Sequence, residues 1–162
     1  MPRGFMIFEL MVVIALILVC SLIGFMSYQE FKGTSCITDI AILSLLLRTA
    51  AARAVCLNRE QQIIIDEANS LVQYDGHSYY LQKGCSFGVL PQVYGPPSSP
   101  HKLVTQAVTF VDKKIVAHRD GSLQAGTLYI TDSQQQYALT TPVSAFSHIR
   151  AYRYDMHVWQ SF

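Results

Sequence analysis

Charge is scarce in this sequence: Asp, Glu, Lys and Arg make up 14% of it, where an ordinary soluble domain carries about 25%. The net charge is +1, so the basic balance of a dedicated nucleic-acid binder is missing. No run of like charge forms an acidic or basic tail, and no internal repeat is visible. The cysteines Cys20, Cys36, Cys56 and Cys85 include no Cys-x-x-Cys, which argues against a zinc ribbon or a thioredoxin-like motif. His77, His101, His118, His148 and His157 lack the spacing of a metalloprotease helix. No phosphate-binding loop, nucleophile elbow or dinucleotide fingerprint occurs, and Asp112 and Asp132 stand alone, without a calcium loop around them. The sequence therefore predicts no catalytic residue set, no cofactor and no metal, and a protein that is not an enzyme.

What is present is an apolar excess crowded at the N-terminus. The chain of 162 residues has room for one domain and one special segment. From Phe5 to Met26 the only charge is Glu9. As a helix this stretch would be roughly 33 Å long, enough for a hydrocarbon core of about 30 Å. It is too long for the apolar region of a secretory signal peptide, and no small-residue cleavage site follows it. A plain signal anchor fits the length, with Arg3 as the leader charge that holds the N-terminus inside. Such an anchor has no use for Glu9, whose bland explanation is snorkelling to the interface.

The order Arg3-Gly4-Phe5-Met6-Ile7-Phe8-Glu9-Leu10 resembles the cleavage and methylation signal of type IV pilins and pseudopilins. That resemblance implies processing by prepilin peptidase between Gly4 and Phe5, with N-methylation of the new Phe5 amine. It places Glu9 where the family keeps its carboxylate. The implied role of Glu9 is to pair with the Phe5 amine of a neighbouring subunit. Two charges that are costly alone in a low-dielectric core would then fix filament register rather than add net stability. Met6 and Phe8 depart from the usual residues, and the leader is short.

Beyond Met26 the pattern changes. Gly33-Thr34-Ser35 interrupts the helical signal, which resumes from Ile37 to Leu57 with Ile37, Ile40, Ala41, Ser44, Leu47, Ala51 and Val55 on one stripe. Leu43, Leu46, Ala50 and Ala54 lie beside it. After Asn58 the period becomes two. Strands are predicted at Gln62–Asp66, Leu71–Tyr74, Ser78–Gln82, Ser86–Leu90, Ala107–Val111, Lys114–His118, Thr127–Thr131, Gln136–Thr141 and His148–Tyr154. Asp75-Gly76 and Asp120-Gly121 are turn signals. Pro91 to Pro100 reads as an exposed loop. If this region lies in an oxidising compartment, a bridge between two of Cys36, Cys56 and Cys85 is allowed. Cys56–Cys85, which flank the first strands, is the favoured pair, the other pairings remaining open.

Asp120-Gly121-Ser122, Gly126-Thr127-Leu128-Tyr129-Ile130 and Ile149-Arg150 are similar to the C-terminal half of the GspH/FimT minor pseudopilins, although the glycine usual before the arginine is absent. The expected fold is α+β: a long N-terminal α-helix, transmembrane half plus amphipathic half, packed on an antiparallel β-sheet or sandwich head. The expected division is a leader at 1–4, a transmembrane helix at 5–26, a periplasmic helix at 27–57 and a β-rich head at 58–162. The implied location is the bacterial inner membrane, single-pass with a cytoplasmic N-terminus and periplasmic head, and later the filament. The implied partners are sister pilins, prepilin peptidase and inner-membrane lipid, and the implied function is a structural subunit of a type II secretion pseudopilus or type IV pilus. A second reading is a competence-type subunit that holds DNA through Arg150, Arg153 and Tyr152. Basic and aromatic residues together grip single strands, but charge also guards an edge strand. A third is an unprocessed single-pass anchored domain.

Overall fold

The computed structural model describes residues 7–96, 99, 101–132, 134–142 and 148–162, with side chains for all of these except 7–9 and 23–35. The chain divides into two compact units, Met1–Thr34 and Ser35–Phe162. Helix α1 is assigned over Ile7–Cys56. In the first unit its apolar side chains from Leu10 to Leu22 stand out on all sides, Met11 at 66% and Val12 at 43% exposure. Ser21 satisfies its hydroxyl on the Ile17 carbonyl at 2.7 Å, so it adds no unmet polar group to this surface.

In the second unit the helix buries Cys36, Ile40, Leu43, Leu47, Ala50, Ala51 and Ala54, the three- and four-residue spacing of one helical face. The buried face is turned from the predicted stripe: Ile37, Ala41 and Val55 are exposed. A Schellman stop ends the helix. Asn58 takes the left-handed conformation at φ 48°, its N–H reaches the Val55 carbonyl, and the Arg59 N–H reaches that of Ala54 at 3.1 Å.

The strands are β1 (Gln61–Asp66), β2 (Leu71–Tyr74), β3 (His77–Tyr80), β4 (Ser86–Phe87), β5 (Lys114–Ala117), β6 (Gly126–Thr131), β7 (Gln136–Thr141), β8 (Arg150–Asp155) and β9 (Val158–Ser161). They form a four-stranded sheet in the order β3-β2-β1-β5 and a five-stranded sheet in the order β4-β6-β7-β8-β9, with every pairing antiparallel. Alternation decides the faces. Ile63 and Ile65 of β1 are buried while Gln62 and Ile64 are exposed. One apolar cluster joins the helix to Ile63, Val72 and Ile115 of the first sheet and to Leu128, Ile130 and Leu139 of the second.

The turns follow their residues. Asp75 and Gly76 both have positive φ and join Tyr74 to its partner His77, the two-residue hairpin that Asp-Gly favours. At Asp120-Gly121 the Asp120 carboxylate accepts from the Ser122 backbone at 2.9 Å. Asp132 accepts likewise from Gln134 and Gln135 at the β6–β7 tip.

Several expectations are corrected. Among the described residues no helix is long and apolar enough to cross a membrane. The helical stretches described with their side chains are 13 and 21 residues, and the packing described is that of the second. This overturns the long helix with a transmembrane half packed on a sheet, and it stands against the expected single-pass placement in the inner membrane. In its place stand two antiparallel sheets with a helix of the same unit between Cys36 and Cys56. Ala107–Val111 is no regular strand. It lies along β6 through the Val108–Leu128 bridge and then breaks into a 3-10 turn, Val111–Lys113, with Asp112 and Lys113 at positive φ. The predicted exposed loop folds back on itself, with Tyr94 bridged to Leu103 and Val93 buried. Strand β9 was not expected at all.

Candidate functional site

Three places carry the residues that matter: the processing segment, the helix start in the second unit and the C-terminal hairpin. Arg3, Gly4 and Phe5 lie outside the described residues. Glu9 is helical, and its side chain also lies outside them.

At the helix start, the predicted Cys56–Cys85 bridge is corrected. The disulfide joins Cys36 to Cys85, with Cα atoms 5.8 Å apart and a sequence separation of 49, while Cys56 is free and exposed. The reason is placement on the helix. Cys36 is fully buried on the face turned to the strands, whereas Cys56 sits on the outer face of the last turn. One turn after Cys36, Asp39 is also fully buried. Its carboxyl oxygens accept from the Tyr79 hydroxyl at 2.6 Å and from the Gln82 backbone N–H at 2.9 Å. Both ties therefore run from one helical face to β3 and the segment that leads from it to β4. Burial, followed by the hydrogen bond to Asp39, pushes the Tyr79 hydroxyl well above its ordinary range.

The C-terminal hairpin is β8 and β9. Its turn residues Met156 and His157 have φ 45° and 66°, both left-handed and neither a glycine, and Met156 is 89% exposed. The register sets Tyr154 against Trp159 and Arg153 against Gln160, so Tyr152, Tyr154 and Trp159 share one face and Arg153 lies on the other. Arg150 is exposed and belongs by alternation to the tyrosine face. The structure thus keeps Arg150 and Tyr152 together and separates Arg153 from them.

On the tyrosine face Trp159 packs 4.9 Å from Tyr154 and 6.0 Å from Tyr129, centroid to centroid. The Trp159 indole N–H donates to the Tyr94 carbonyl at 2.9 Å, which ties the folded-back loop onto the sheet. The Gln135 side-chain amide donates to the Tyr154 carbonyl. Burial alone pushes the Tyr129 hydroxyl up to about 12. Between loop and sheet lies a groove of about 210 Å³ lined by residues such as Lys102, Gln106, Thr109 and Tyr129. On the opposite face Arg153 approaches Asp155, at 4.0 Å. There a cavity of about 280 Å³ is lined by Ile37, Arg153, Gln160, Ser161 and Phe162.

Among the described residues no group of His, Cys, Asp and Glu is arranged to hold a metal ion. Strand β9 and the Asp39 tie were missed in the sequence, and Cys36–Cys85 stood among the open pairings without being the favoured one. The only hint was the buried-face spacing of Cys36 and Asp39, three residues apart.

Comparison with family models, curated proteins and solved structures gives no match for this chain.

Proposed function

We propose that this chain is a structural subunit of a filament of the pseudopilus or type IV pilus kind, resembling the GspH/FimT minor pseudopilins, and that it acts by assembly rather than catalysis. The observation that carries the reading is the pairing of the Arg3-Gly4-Phe5…Glu9 signal with the helical surface that follows it. From Leu10 to Leu22 large apolar side chains are exposed on every side of the helix. A bare surface of that kind calls for a cover, and like stretches of sister subunits supply one. Phe5 and Glu9 set the axial register of those neighbours, and the disulfide-braced β unit is what the subunit presents. The separation of Arg150 from Arg153 on opposite faces of β8 gives no support to DNA binding, so no second reading is carried.

Mass spectrometry of the chain co-produced with a prepilin peptidase tests the first step. A mature protein beginning at N-methylated Phe5 is the expected product, and an intact Met1 or Pro2 start refutes the proposal. The second step is read by co-purification with sister subunits. Glu9→Ala is expected to abolish recruitment while leaving cleavage unchanged.

A further inference from the structure

We infer that the free edge of β9 is a docking site for an extended acidic segment of a partner chain, which adds a sixth strand to the five-stranded sheet. The inference does not depend on the filament reading. It rests on the backbone of β9, the cavity beside it and the charge within that cavity.

In the sheet order β9 is terminal, and among the described residues it pairs on one side only, with β8. Bonded and non-bonded pairs alternate along an antiparallel ladder. The Phe162 N–H donates to the Ala151 carbonyl, so Val158, Gln160 and Phe162 turn their backbone groups toward β8. Trp159 and Ser161 therefore present theirs to the open side. Exposed edges are ordinarily blunted by charge, proline or a bulge. The stretch Val158-Trp159-Gln160-Ser161 holds no charged residue and no proline, and its pairing with β8 is regular.

Beneath this edge the sheet leaves space unfilled. The cavity of about 280 Å³ is walled by Ile37 of the helix and by Phe162, with Arg153 and Gln160 on the sheet side. Ile37 is 38% and Phe162 57% exposed, so both gain burial if a side chain enters. An added strand beside β9 directs alternate side chains to this face. Arg153 selects what enters, since the 4.0 Å approach of Asp155 leaves its guanidinium fork open to a bidentate carboxylate. The occupant is thus a strand with an inward Asp or Glu flanked by inward apolar residues. Main-chain bonds supply attachment and the pocket supplies the choice, the division usual in strand addition.

Fluorescence anisotropy on the full chain in mild detergent tests this. One labelled probe alternates threonine and valine with a single central glutamate, and the second carries lysine at that place. The glutamate probe is expected to bind saturably, roughly tenfold or more tighter than the lysine probe, and to perturb the fluorescence of the single tryptophan, Trp159. Arg153→Glu is expected to reverse the preference. Ser161→Pro removes an outward donor without touching the β8 ladder and is expected to abolish binding of both probes at unchanged circular dichroism. If that variant fails to fold, a glutamate probe N-methylated along one backbone edge gives the same reading by not binding. Absence of saturable binding overturns the inference, as does equal binding of the two probes unaffected by Arg153→Glu. Self-association of the chain that Ser161→Pro removes, with no probe bound, assigns the edge to a second copy and also overturns it.

Discussion

Gly126 shows how little freedom single positions have in this molecule. A Cβ placed there would sit 2.5 Å from the Phe110 ring, which itself is packed in the core. Gly126→Ala is expected to cost about 1–3 kcal/mol through displacement of that ring, measured by urea denaturation. Cysteines separate by face in the same way. Closing the 49-residue separation between Cys36 and Cys85 is worth about 4 kcal/mol on the chain-entropy account. Cys36→Ser should lower the unfolding midpoint strongly, whereas Cys56→Ser should leave it within about 0.5 kcal/mol. Tyrosines give a third test. Tyr79, Tyr129 and Tyr137 are all raised by burial above the ordinary value of 10.0. A raised folded value means that stability is complete below pH 10 and is lost as pH climbs through the raised value. Tyrosinate absorbance should therefore rise in two stages, the later one above pH 10 and coupled to unfolding. Tyr79→Phe should shrink that later stage.

At the scale of elements, what the sequence disclosed depended on whether local chemistry alone decided the outcome. Asp75-Gly76 and Asp120-Gly121 were legible because each turn carries its own glycine and carboxylate. Strands β2 and β7 coincide with their predicted limits, since turn-forming residues bound them locally, Asp75-Gly76 after β2 and Pro142 after β7. Strand β9 was invisible because its turn, Met156-His157, holds no glycine, asparagine or aspartate to mark it, and the hairpin is held by Trp159 reaching across to Tyr94. The same cause hid the Asp39 tie: a helical aspartate reads as solvated until the segment bearing Tyr79 and Gln82 is laid over it. The disulfide partner depended on which helical face meets the strands, and two adjacent stripes made that face ambiguous. The Met156-His157 turn yields its own test. Met156→Asn combined with His157→Gly should raise stability by about 0.5–1 kcal/mol, read as a higher thermal midpoint, because the replacements adopt that backbone without strain.

For the molecule as a whole, one feature governs how it can be divided. Between Cys36 and Ala54 a single helical face contributes to the apolar cluster shared by both sheets, so neither sheet has an interior of its own. Trimming the chain inward from Ser35 strips away first the sulfur that anchors Cys85, then the acid that holds Tyr79, then the aliphatic floor on which both sheets rest. A polypeptide starting at Ser35 retains all three, and a protease should accordingly find its durable limit fragment at that residue, with shorter products vanishing as fast as they form.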